Sequence, residues 1–143
     1  MNETRDFQRL LDEAGVKHFK AHEVLYLGGM NGYLRANAIP ERNLWTNILP
    51  AIKAADEIRE RIGRPVTILS GYRNQRYNQL IGGASKSLHM QFRALDLTAK
   101  MSIPELARVA KQVREQGIFV GGVGIYNGFV HIDCRGKNTD WHG

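Results

Sequence analysis

Gly121-Gly122-Val123-Gly124-Ile125-Tyr126-Asn127-Gly128-Phe129-Val130-His131-Ile132-Asp133-Cys134 is the stretch on which the fold turns. Asn127-Gly128 is a strong hairpin signal, so residues 121–126 and 129–134 read as two strands joined by a tight turn. Along the second strand the period of two sets His131 on one face with Phe129 and Asp133, and Val130, Ile132 and Cys134 on the other. One face is apolar and the other carries ionisable groups.

The same alternation recurs upstream. In residues 94–99, Leu95 and Leu97 share one face while Ala94, Asp96 and Thr98 share the other. Val66-Thr67-Ile68-Leu69-Ser70 is a β-branched strand, and Gly71-Tyr72-Arg73 turns off its end. Helical spacing of Ile48, Ile52, Ala55, Ile58 and Ile62 predicts a main helix over residues 47–62, with Pro50 in its first turn and Gly63 at its stop. A capping box at Ser102-Ile103-Pro104-Glu105 opens a second amphipathic helix that runs to Gly117. Residues 74–81 suit a brief helix, and Phe7, Leu10, Leu11 and Ala14 mark a short one at the start, ended by Gly15. Residues 16–40, punctuated by Gly28, Gly29 and Gly32, read as a long loop with irregular pieces. After Arg135 the tail is polar, with Trp141 expected to pack back. Helices first and a hairpin last predict an α+β fold, a small antiparallel sheet with flanking helices. The 143 residues suffice for one domain, in which 1–46 form a helix plus irregular loop and 47–143 form the core.

Composition narrows the function. No stretch approaches the roughly 18 apolar residues of a membrane span, and no signal-peptide core is present. The expectation is a protein made in the cytoplasm, as a monomer. Lys and Arg exceed Asp and Glu by 20 to 14, a net charge of +6. That balance favours anionic partners, but the basic residues are scattered, so nucleic acid is not expected. A lone Cys134 excludes an internal disulfide and a thiolate-rich zinc knuckle. No Ser or Thr is followed three later by Lys, which removes the S-x-x-K serine hydrolases. The glycine-rich stretches fail as phosphate loops, because Lys86 follows Ser85 and Gly122-Val123-Gly124 has Asn127 where a third glycine belongs.

Ser87-Leu88-His89-Met90-Gln91-Phe92-Arg93-Ala94-Leu95-Asp96 then carries an imidazole and a carboxylate, and the hairpin carries a second imidazole. His89, Asp96 and His131 are candidate metal ligands, a set that with water completes a catalytic metal centre. Seven residues of straight strand span about 23 Å and point to opposite faces, so His89 must sit on a loop that folds back. Taken singly, the three are better read as a loop histidine, a solvent-facing aspartate and a hydrogen-bonded histidine; it is their parity and the ready imidazole on the connecting loop that favour a shared site. His18 and His22 stand four apart but lack the Glu that a H-E-x-x-H zinc helix requires, Phe19 taking its place.

The segment Ser87–Asp96 resembles the S-x-H-x-x-G-x-A-x-D signature of the zinc D-alanyl-D-alanine peptidases, the M15-like group of bacterial carboxypeptidases, vancomycin-resistance dipeptidases and phage endolysins. Ser87, His89, Ala94 and Asp96 match it. Ser70-Gly71-Tyr72-Arg73 and the closing His-x-Asp strand are similar to that group as well, so the resemblance runs from about Asn47 to Trp141. It implies the hedgehog/D,D-peptidase-like fold, zinc held by His89, Asp96 and His131, and hydrolysis of a peptidoglycan peptide beside D-alanine by metal-activated water. Arg73 would bind the developing oxyanion or a substrate carboxylate, and Ser87 would orient substrate or loop. A phage or prophage lysis enzyme is the implied origin. The sequence departs from the group twice. Phe92 replaces the signature glycine, and Gly128 and Phe129 occupy the positions where relatives place a proton acceptor. Asp133, about 6 to 7 Å along the strand from His131, is the expected substitute, either as general base or as a residue that orients the histidine. Glu23 is the second candidate base. A wall-binding or virion structural module that keeps the fold without catalysis is the alternative.

Overall fold

The computed structural model describes residues 2–28 and 32–143; residues 29–31 of the N-terminal loop lie outside it. Asn2 opens helix α1 (Glu3–Glu13) by accepting the Arg5 amide at 3.0 Å, and Phe7 and Leu11 bury its apolar face. Among its described residues the loop that follows holds one short helix, α2 (Ala21–Val24), and a 3₁₀ turn at Leu34–Ala36. A longer 3₁₀ segment, Arg42–Ile48, runs straight into helix α3 (Leu49–Ile62), so the main helix begins two residues later than its apolar spacing suggests. The reason is local: Trp45 is buried with its indole N–H on the Pro40 carbonyl, and Pro50 suits a first α-turn.

Strand β1 (Val66–Ser70), helix α4 (Gln75–Leu80), strand β2 (Ala94–Ala99), helix α5 (Ile103–Glu115) and the hairpin strands β3 (Gly122–Tyr126) and β4 (Phe129–Asp133) follow in the expected order. Asn74 caps α4 and Ser102 caps α5, each through a side-chain oxygen. The tail departs from expectation: Thr139–His142 form a fifth strand, β5, paired parallel to β3. The sheet order is β1-β2-β4-β3-β5, and its other pairings are antiparallel. The fold is thus α+β, a five-stranded sheet with flanking helices.

Leu95, Leu97, Val123, Val130 and Ile132 fill the sheet face against α3 and α5, all fully buried together with Ile52, Ala55, Leu106 and Ala110. Register decides what the other face carries. Ser70 pairs with Asp96, Asp96 with His131, His131 with Gly124, and Gly124 with Trp141. One rung across all five strands therefore brings a hydroxyl, a carboxylate, an imidazole, a bare backbone position and an indole to the same face.

Candidate metal centre

Two members of the site come from that rung and one from the loop before β2. His89 lies in a 3₁₀ turn, Leu88–Gln91, which is capped by Ser87: the Ser87 hydroxyl accepts the His89 N–H at 3.2 Å. The turn is closed by Phe92 in the left-handed region (φ 55°, ψ 46°), the only non-glycine residue with positive φ among the described residues. A glycine adopts that conformation freely, which explains why the related signature has one there. Phe92 adopts it with its ring fully buried, 6.0 Å from Phe7 and 6.1 Å from Tyr72. The departure from the signature preserves the turn and adds a core contact.

The fold-back this produces brings His89 Nε2 to 3.1 Å from Asp96 Oδ1, and the strand register brings His131 Nδ1 to 3.0 Å from the same oxygen. All three residues are buried, and one ligand atom from each lies within 4.8 Å of the others. Both rings are committed on their outer nitrogens. His89 Nδ1–H donates to the Gly71 carbonyl at 2.7 Å, and His131 Nε2–H donates to Asp133 Oδ2 at 2.8 Å. That fixes the tautomers, so the inner atoms are two imidazole lone pairs and a carboxylate oxygen, three acceptors facing one another. Such a set is stabilised by a cation or a shared proton between its members, and its nitrogen and oxygen donors suit a divalent metal of the zinc type. The residues present fit the group.

The electrostatics agree with this geometry. Burial would raise the Asp96 carboxyl, but the two adjoining rings and their hydrogen bonds hold it well below the ordinary carboxylate value. Burial pushes His89 down, with Asp96 opposing. For His131 burial acts downward too, yet hydrogen bonding to the Asp133 and Asp96 carboxylates carries it above the ordinary histidine value. Arg73 ties the cluster together, donating Nε–H to Ser70 Oγ (3.0 Å), Nη1–H to Asn78 Oδ1 (3.3 Å) and Nη2–H to Asp96 Oδ2 (3.1 Å).

The cluster floors an open cleft of about 660 Å³, bordered by Arg73, Lys86, Ser87, Tyr126, Arg135 and Trp141 among others. Asp133 is absent from that border. It is fully buried, and its oxygens accept from His131, from the Gly122 amide at 2.9 Å, and from Arg135 through Nε (2.9 Å) and Nη2 (2.7 Å). Glu23 lies elsewhere, on a groove along β1 with Tyr26 and Thr67, and so does not meet the cluster. His18 and His22 are also remote: His18 pairs with Glu60 on α3, and His22 is exposed beside α1. Cys134 turns away from the cleft, its Sγ near the Asn47 and Arg93 carbonyls.

Three contributors were not singled out from sequence, and the fourth, Trp141, was expected to pack back without being placed at the site. Asn78 and Gly71 act through a buried amide and a backbone carbonyl, neither of which has a sequence signature of its own. Arg135 and Trp141 sit in the polar tail, where only the alternate glycines of β3 hint at a covering group. A Cβ at Gly122 or Gly124 would meet the Trp141 ring at 2.6 Å, so the indole requires both glycines.

No curated protein matches the chain. The family model described as Peptidase M15 matches residues 17–133, which reaches further into the N-terminal loop than the motif resemblance does and stops at the end of β4. That span contains the complete His-Asp-His group with the turn and register that assemble it, and the chain belongs to the peptidase M15 family, a family of metallopeptidases.

Proposed function

We propose that the chain is a zinc-dependent peptidoglycan peptidase that hydrolyses a peptide bond beside D-alanine, as a D,D-carboxypeptidase or as a cross-link endopeptidase of the endolysin kind. The observation that carries this reading is the convergence of three acceptor atoms, His89 Nε2, Asp96 Oδ1 and His131 Nδ1, at the floor of an open cleft. His89, Asp96 and His131 would hold the zinc. When bound, the metal supplies a polarised carbonyl and a water acidic enough to act near neutral pH.

The chain's own groups do the rest. Arg73 fixes the second oxygen of Asp96, which keeps the first oxygen turned toward the histidines. Arg73 itself borders the cleft, and its remaining N–H groups would hold a substrate carboxylate or an oxyanion there. Ser87 acts on the loop, by capping the turn that presents His89. Asp133 holds the tautomer of His131; its two oxygens accept from five N–H groups, which supports that orienting role over the role of a base that meets substrate. The substrate is the peptide moiety of the wall, met by a monomer. Among the described residues no helix is long and apolar enough to cross a membrane. A phage or prophage lysis enzyme, released to the wall through a separate pore, fits that and the charge of +6.

A second reading rests on one observation. Asp96 is the only carboxylate bordering the cleft among the described residues, and Gly128 and Phe129 supply no proton acceptor. A wall-binding or virion structural module with the same fold would have that appearance. Mass spectrometry of muropeptides incubated with the zinc-loaded protein separates the two. Release of D-alanine or of split cross-links, abolished by His131→Ala and by chelation, is the expected result; wall binding with no change in any muropeptide mass would establish the module instead.

A further inference from the structure

Residues 134–143 lie beyond the segment shared with the family, yet they reach back to the cleft. Arg135 follows β4 and grips Asp133 with two parallel bonds of its fork, at 2.9 and 2.7 Å, and its own amide adds a third at 3.2 Å. The guanidinium carbon lies 4.8 Å from the centroid of the Trp141 ring, within cation–π range. Trp141 in turn stands over the bare positions Gly122 and Gly124, donates its indole N–H to the Tyr126 hydroxyl at 2.8 Å, and lies 5.3 Å from the His131 imidazole. The strand that delivers it is anchored from the helix side: Arg114 of α5 pairs with Asp140 at 2.7 Å and donates to the Gly121 and Thr139 carbonyls.

From this placement we propose that Arg135 and Trp141 are positioning residues for His131, a brace that the C-terminal strand adds to the metal centre. The proposal rests on the reading of His131 as a metal ligand. Asp133 is fully buried, and the direction of the oxygen that meets Nε2–H is set by the donors that hold its carboxyl group. Gly122 donates one bond but no charge, and His131 is the group being oriented. Only Arg135 supplies both a positive charge and a fork that fixes the carboxylate plane. Trp141 then restricts the guanidinium, because the indole is itself pinned by two missing side chains and one hydrogen bond. The chain of contact runs Trp141 to Arg135 to Asp133 to His131 Nε2, leaving Nδ1 aimed at Asp96.

The test is zinc affinity of the full chain, measured by competition with a chromophoric chelator, alongside the imidazole N–H resonance of His131 in the zinc-loaded protein. Arg135→Met should weaken zinc roughly 10-fold or more, the effect typical of losing a ligand's outer partner, and should speed exchange of the Nε2 proton. Arg135→Lys, which keeps charge but not the fork, should fall between. Trp141→Ala should weaken zinc less than Arg135→Met, and Trp141→Phe should restore most of that loss. His131→Ala is the control for the metal reading. If it binds zinc as tightly as wild type, the ligand assignment fails and the brace with it. If His131→Ala loses zinc while folded Arg135→Lys and Trp141→Ala bind it at wild-type affinity with an unchanged Nε2–H resonance, the brace alone is overturned, even if both variants melt at lower temperature.

Discussion

The two histidines of the cleft are held by opposite means. His89 depends on a turn: its ring is aimed by a left-handed Phe92 and by a bond to the neutral carbonyl of Gly71. His131 depends on a strand: β4 is paired on both sides, its register puts the ring opposite Asp96, and a buried carboxylate takes the outer N–H. The contrast appears in their titration. Burial dominates His89 and lowers it, whereas hydrogen bonding to two aspartate carboxylates raises His131 against the same burial. A carboxylate partner makes an imidazole the more basic ligand, and a carbonyl partner makes it the less basic one. The lesson is that one ligand is positioned by backbone that no substitution deletes, and the other by a side chain that a single substitution removes.

Asp133→Ala breaks the strand side and should have the largest effect. It leaves the buried Gly122 amide without an acceptor, which costs about 1–3 kcal/mol, while Arg135, exposed on its outer side, turns to water. Urea denaturation reads that loss, and chelator competition should show zinc affinity lower by roughly 10- to 100-fold. Unchanged zinc affinity in a folded Asp133→Ala protein would mean that register alone orients His131, and the contrast between the two halves would lapse.

The turn side is tested at Phe92. Truncating a buried aromatic costs about 3–5 kcal/mol, and a non-glycine residue in the left-handed region carries about 1–2 kcal/mol of strain. Phe92→Gly removes both, for a net loss of about 2–3 kcal/mol, while Phe92→Ala loses the ring and keeps the strain. Phe92→Gly should therefore be the more stable of the two variants by about 1 kcal/mol in urea titrations, a reversal of the usual order of Ala and Gly. If Ala proves the more stable, the turn does not hold position 92 in that conformation. A smaller effect is expected at Gly71, where an added Cβ would lie 2.8 Å from the Val24 carbonyl oxygen. Gly71→Ala should lose about 1–3 kcal/mol and move the carbonyl that holds His89, weakening zinc without touching a ligand.

The same contrast explains what the sequence made legible. Strand parity put Asp96 and His131 on the face opposite Leu95, Leu97, Val130 and Ile132, because a period of two is a local property of the chain. Asn127-Gly128 marked the hairpin, and Gly128 does take the positive φ (97°) that its turn needs. The fold-back of His89 followed from the reach of seven residues, but its mechanism did not, since a phenylalanine with positive φ runs against local preference and is decided by core packing around Phe7 and Tyr72. Strand β5 was hidden for a similar reason. Thr139-Asp140-Trp141-His142 is short and polar, and its place is set by parallel pairing to β3 and by Arg114 from α5. The neighbourhood of Asp133 to His131 was readable as two residues on one strand face. Its engagement with Arg135 was not, because that bond depends on how the chain turns after β4.

Cys134 offers the finest measure of the difference, because it continues β4 on the face away from the cleft. Its amide bonds to the Arg93 carbonyl at 3.0 Å, and its Sγ lies 3.4 Å from the Asn47 carbonyl oxygen, joining the end of β4 to the entries of β2 and α3. Burial pushes the thiol up from its ordinary value; Arg93 opposes this and Asp133 adds to it, so less thiolate is present at pH 8 than in the unfolded chain. Alkylation of Cys134 by iodoacetamide should accordingly be slower in the folded protein than in urea. If β4 is ordered by sheet pairing and core contacts alone, removing zinc should leave that rate unchanged, while protease cleavage within 85–91 should quicken as the His89 turn loses its ligand contact. Faster alkylation on chelation would show that the strand, too, depends on the metal for its order.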